Sequence, residues 1–120
     1  INDSYGHSAG DKTLKVIAKA LRQSLRESDF IARYGGEEFA VLLVDTTSDQ
    51  AAYFGERLRK TVENLTIEYN GQLLKATISL GIAEYKDTML EHRNWIEAAD
   101  KALYTSKANG RNQLTIYTPE

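Results

Sequence analysis

Cysteine is absent from the sequence, and proline and tryptophan occur once each. Without Cys there is no disulfide framework, no thiolate metal site and no Cys nucleophile, a usage that fits a reducing compartment such as the cytoplasm. The one proline, Pro119, stands near the end, so no proline interrupts any earlier helix or strand. Long apolar runs are missing: none approaches the roughly 20 residues of a membrane span, and Ile1-Asn2-Asp3-Ser4 is not a signal peptide. Charge of one sign is missing too. The 15 Lys and Arg against 17 Asp and Glu give a net charge of −2, so no global field advertises a nucleic-acid polymer or an anionic membrane. Any anionic ligand has to be held locally. What is present is 120 residues without repeats or low-complexity stretches, enough for one compact domain with its own core. The chain begins at Ile1 rather than Met, and on that ground it is expected to be a piece of something longer.

Apolar spacing organises the chain as alternating helix and strand. Asp11 is a candidate N-cap, followed by Leu14, Ile17, Ala18, Leu21 and Leu25 at helical spacing, which predicts helix one from about Asp11 to about Arg26. Phe30 to Tyr34 and the apolar run Phe39 to Val44 read as two strands joined by a Gly-rich turn, a β-hairpin. Thr47-x-x-Gln50 resembles a capping box, and Ala51, Phe54, Leu58, Val62 and Leu65 continue a second amphipathic helix. Asn70-Gly71 is a type I′ hairpin signal between a strand near Leu65–Tyr69 and a long one over Leu73–Ala83. Ile96, Ala99, Leu103 and Lys107 mark helix three, which Asn109-Gly110 should end, and Leu114 and Ile116 make a final edge strand. This order predicts an α+β fold, an antiparallel or mixed sheet with helices packed on it. With one more strand ahead of helix one it becomes the βαββαβ plait with an appended hairpin.

Gly35-Gly36-Glu37-Glu38-Phe39 is where composition departs from what folding alone asks for, since adjacent carboxylates repel and a hairpin does not require them. Strand alternation sends Glu37 and Glu38 to opposite sides, so their roles should differ. The glycines allow positive φ and a bare backbone next to a ligand. Two readings stand side by side: a tight turn with solvated acids, or a site offering a hard cation one carboxylate.

The segment resembles the signature of the GGDEF family of diguanylate cyclases, with Glu in the third place. Four further segments are similar to that family: Ile1-Asn2-Asp3-x-x-Gly6-His7-x-x-Gly10-Asp11; Arg33-Tyr34 directly before the signature; Thr77-x-Ser79-x-Gly81-Ile82; and Ala99-Asp100-x-Ala102-Leu103-Tyr104-x-x-Lys107-x-x-Gly110-Arg111-Asn112. The resemblance covers the whole chain. It implies a palm-like nucleotidyl-cyclase plait and condensation of two GTP into cyclic di-GMP, with release of two pyrophosphates, between half-sites facing each other across a homodimer. It implies Mg²⁺, or Mn²⁺, as cofactor.

Residue by residue, Asn2 and Asp11 resemble the pair that hydrogen-bonds guanine. Asp11 reads equally well as a helix cap, and the two roles are compatible. Glu37 resembles the metal-binding acid, with Gly35, Gly36 and Glu38 completing the catalytic turn. Lys107 and Arg111 resemble phosphate contacts, although cations are favourable at a helix C-terminus in any case. His7 reads as structural, and Trp95 as core or interface packing. Arg26-Glu27-Ser28-Asp29, with five residues between Asp29 and Gly35, resembles the family's Arg-x-x-Asp inhibitory site for cyclic di-GMP, with Arg57 as a further arginine. Without the family, Arg26 and Asp29 read as a surface i,i+3 ion pair.

The family's first strand carries an Asp for the metal and a Phe-Lys pair, and this chain begins after it. The parent protein is therefore expected to be an active cyclase, with an upstream sensory or receiver domain and a cytoplasmic catalytic domain, the parent itself being either soluble or membrane-tethered. The piece alone is expected to be inactive. The alternative reading is a non-catalytic receptor for cyclic di-GMP or GTP, or a dimerisation module.

Overall fold

The computed structural model describes residues 6–33, 38–43, 45–85 and 92–118. The elements follow in the order α1 (Gly6–Ser24), β1 (Phe30–Arg33), β2 (Phe39–Leu42), α2 (Ser48–Asn64), β3 (Ile67–Tyr69), β4 (Gln72–Leu74), β5 (Leu80–Ile82), α3 (His92–Ala108) and β6 (Leu114–Ile116). The fold is α+β, as the alternation predicts. Among the described residues the strands pair in three two-stranded ladders, β1 with β2 and β3 with β4 antiparallel, and β5 with β6 parallel.

The chain divides into two units. In the first, α1 presents Ala9, Thr13, Ile17 and Leu21 at four-residue spacing as a buried stripe. Ala9 joins Ile67 and Leu74 in a small core, against which Val16 and Tyr69 pack. The Thr13 hydroxyl, buried in this stripe, donates to the Ala9 carbonyl at 2.9 Å, so its burial leaves no donor unsatisfied. The β3–β4 turn is the one Asn70-Gly71 predicts: both have positive φ, 50° and 77°, and Tyr69 pairs with Gln72.

The second unit holds most of α2 together with β5, α3 and β6. Here α3 offers a stripe of small residues, Ala98, Ala102 and Ser106, and β5 lies hard against that helix. Gly81 makes this approach possible, because a Cβ at that position would overlap the backbone of Ala99 and Leu103. The fully buried Ser106 hydroxyl bonds the Leu80 carbonyl at 2.8 Å and Thr115 Oγ1 at 2.7 Å, tying α3 to both strands. Trp95 packs as expected: its Nε1 donates to the Ala83 carbonyl at 2.7 Å and its ring meets Tyr85 edge-on at 5.5 Å.

Two expectations are corrected. Helix one begins at Gly6, not near Asp11, so Asp11 is an exposed interior residue and not a cap. The burial of Ala9 against Ile67 and Leu74 favours the earlier start although Gly6 and Gly10 are poor helix formers. The long strand over Leu73–Ala83 is two short ones, because β4 pairs with β3 whereas β5 pairs with β6.

Candidate functional site

The strands on either side of the signature in sequence pair as the hairpin reading predicts. In the β1–β2 ladder Phe30 pairs with Leu42 and Arg33 with Phe39, so residues 34–38 connect two antiparallel strands. Glu38, half-buried, leads directly into Phe39. Gly35, Gly36 and Glu37 lie outside the described residues, as does Asn2, and so does the side chain of His7. Asp11 is exposed on α1, in the same unit as Glu38. Among the described residues no group of three or more His, Asp or Glu side chains is placed to hold a metal ion.

Lys107 and Arg111 both lie at the C-terminal end of α3, and the local sequence explains how that end is closed. The Gly110 N–H bonds the Lys107 carbonyl at 3.5 Å and the Arg111 N–H the Ser106 carbonyl at 2.9 Å, the paired closure of a Schellman motif with Gly110 at φ 115°. Lys107 therefore lies in the last turn, half-buried, and Arg111 just beyond it, exposed. Both cations stand at the negative end of the helix dipole.

Arg26 and Asp29 also meet. Arg26 donates through Nη2 to Asp29 Oδ1 at 2.9 Å and through Nε to Oδ2 at 3.1 Å, and its backbone N–H reaches Oδ2 at 2.9 Å. The Asp29 N–H returns a bond to the Arg26 carbonyl at 3.0 Å, closing the turn between α1 and β1. Asp29 keeps only 2% of its side chain in solvent, Arg26 57%. This is more than a surface ion pair, since the carboxylate is buried and its fork partner stays accessible. Arg57, exposed on α2, lies over the ring of Tyr53, 5.9 Å from its centroid.

One arrangement in the second unit goes beyond the sequence reading. Arg59 makes two bonds to Glu56, 2.6 Å from Oε1 and 2.9 Å from Oε2, and a third to Asn112 Oδ1 at 3.0 Å. Hydrogen bonding from Arg59 holds the Glu56 carboxyl below the usual carboxylate pKa, with the Arg59 and Lys60 charges acting in the same direction. These side chains line an open pocket of about 550 Å³ with Ala52, Tyr53, Gln113 and Leu114. The i,i+3 spacing of Glu56 and Arg59 was a signal for the ion pair; nothing local pointed to Asn112, 53 residues away.

Comparison with known proteins identifies the family. Residues 1–113 match the family described as diguanylate cyclase, GGDEF domain. The chain is 47% identical over 116 residues to diguanylate cyclase A of Treponema denticola and 44% identical over 116 residues to diguanylate cyclase DgcP of Pseudomonas aeruginosa. Each match covers 97% of this chain, which spans 31% and 17% of the length of those two relatives. Among solved structures it resembles the GGDEF domain of DgcB from Caulobacter crescentus in complex with c-di-GMP, with a TM-score of 0.91, 34% identity, and coverage of 98% of this chain and 68% of the other. It also resembles the active GGEEF domain of a diguanylate cyclase from Vibrio cholerae, with a TM-score of 0.88, 28% identity, and coverage of 100% and 76%. With the family match spanning nearly the whole chain and these likenesses in sequence and fold, the chain belongs to the GGDEF domains of diguanylate cyclases.

Proposed function

We propose that this chain is the catalytic domain of a protein that condenses two GTP into cyclic di-GMP. In each of two steps a 3′-hydroxyl oxygen attacks the α-phosphorus of the other nucleotide, the bond to the β-phosphate oxygen breaks, and pyrophosphate leaves. The hydroxyl proton passes to a base or to water, so two GTP give one cyclic dinucleotide and two pyrophosphates. Both hydroxyls must face the opposite nucleotide, which requires two copies of the domain related by a two-fold axis. The observation that carries the reading is the register of β1 and β2, which brackets Gly-Gly-Glu-Glu between antiparallel strands.

Asn2 and the exposed Asp11 take the guanine edge, where a carboxylate accepts from N1–H and N2–H. Lys107 and Arg111 take phosphate oxygens at the capped end of α3, where a neutral protein needs local cations. Gly35 and Gly36 keep the turn free of side chains next to the nucleotide, and Glu38 belongs to the same turn. The carboxylates of Glu37 and Glu38 offer only oxygen donors, which fits a hard cation such as Mg²⁺ or Mn²⁺, held by Glu37. When bound, such an ion would neutralise charge on the triphosphate.

Cyclic di-GMP is the proposed inhibitor at Arg26 and Asp29, with Arg57 as a further contact. Asp29 occupies the Nε–Nη2 side of the Arg26 fork and so orients the guanidinium for bidentate reading of guanine O6 and N7 from its outer edge.

The test is GTP turnover with Mg²⁺ by the full-length protein, with cyclic di-GMP and pyrophosphate both quantified. We expect one product molecule for two pyrophosphates, and a loss of at least about a hundredfold in Glu37→Gln. Binding of cyclic di-GMP with no turnover under any metal would overturn the enzymatic reading in favour of a receptor.

A further inference from the structure

Gly110, Arg111 and Asn112 follow one another with positive φ of 115°, 62° and 51°. Glycine takes such angles freely, whereas two successive residues with side chains hold them only where their surroundings do the holding. The restraints are identifiable. The Arg111 N–H is bound to the Ser106 carbonyl, and the Gln113 side-chain amide donates to the carbonyls of Asn109 at 3.0 Å and Arg111 at 3.1 Å. Asn112 is held on two sides, its N–H by Ser79 Oγ at 3.0 Å and its Oδ1 by Arg59 Nη1 at 3.0 Å. Arg59 is itself held in place: its Nε and Nη2 donate to the two carboxylate oxygens of Glu56, and only 13% of its side chain is exposed.

We propose that Arg59 is a positioning residue for Arg111. It anchors the left-handed turn to α2 through Asn112 Oδ1, and so sets where the Arg111 side chain departs from the backbone. Arg59 does not touch substrate in this account. The planar fork is what suits it to the task, because it can clamp Glu56 with one side while a third N–H reaches Asn112; a Lys ammonium lacks that fixed geometry. The inference rests on the reading of Arg111 as a phosphate contact, and the experiment separates the two.

In the full-length protein, kcat/KM for GTP is measured for Arg59→Lys, Asn112→Gly, Arg111→Ala and the two doubles with Arg111→Ala. Asn112→Gly removes the acceptor from the other side of the bond while tolerating φ of 51°. We expect Arg59→Lys and Asn112→Gly each to lower kcat/KM about fivefold or more, and each to add less than about twofold once Arg111 is Ala. Losses that multiply fully in the doubles would overturn the proposal, as would single variants indistinguishable from the parent. Unfolding of both single variants below the assay temperature would also overturn it, by giving Arg59 a general structural role. An Arg111→Ala variant with unchanged kcat/KM would refute the phosphate reading itself, in a variant where Arg59 is untouched.

Discussion

The Asp29 carboxylate is almost wholly out of water, and the Arg26 guanidinium is what makes that tolerable. Replacing Arg26 by Ala removes two charge-assisted bonds and leaves the backbone N–H at Oδ2, so Arg26→Ala should lower stability by about 1–2 kcal/mol, read from the denaturant midpoint. The same variant should raise the cyclic di-GMP concentration for half-inhibition by about tenfold or more, each variant being referred to its own uninhibited rate. An unchanged half-inhibitory concentration would dissociate Arg26 from product binding. The pairing of Arg26 with Asp29 was legible from their i,i+3 spacing, but the burial of the carboxylate was not, because burial depends on what packs around a turn. Asp11 shows the converse. A good capping residue before an apolar stripe is a sound local signal, yet packing of Ala9, two residues earlier, carried the helix past it.

Element boundaries followed local chemistry wherever a cap or turn motif was complete. The reciprocal bonds of the Thr47–Gln50 box are both formed, Thr47 N–H to Gln50 Oε1 at 3.0 Å and Gln50 N–H to Thr47 Oγ1 at 3.2 Å, and α2 starts between them at Ser48. Asn109-Gly110 ends α3, and Asn70-Gly71 turns β3 into β4. Two glycines separate conformational from steric demands on these elements. A Cβ on Gly71 meets nothing within 4 Å but would sit at φ 77°, so Gly71→Ala should cost about 1 kcal/mol. A Cβ on Gly81 would strike the backbone of α3, which cannot rotate away, so Gly81→Ala should cost about 3 kcal/mol or prevent folding. Equal costs in denaturant melts would mean that β5 and α3 are less closely packed than described. No sequence signal marked Gly81 as a contact glycine, since its neighbour on α3 is distant along the chain.

For the whole molecule, the proposed chemistry between two half-sites would make rate a function of assembly. Specific activity should fall on dilution through the dimer dissociation constant and recover on concentration, and cyclic di-GMP production per protomer against protein concentration checks it. A specific activity independent of concentration, with a monomer in sedimentation at the same concentrations, would rule out the shared-site scheme. Most of the architecture could be read beforehand: the α+β class, three helices, the signature hairpin and the final strand come from periodicity, caps and turn residues, all of which act over a few residues. The members of the candidate site come instead from the resemblance to the family, and their roles are proposals. Tertiary structure alone decided that Leu73–Ala83 breaks into strands with different partners, that helix one starts at Gly6, and that Arg59 reaches across to Asn112. Each of these depends on a contact between residues far apart in the chain, where the free energy of burial or of a long-range hydrogen bond outweighs local preference.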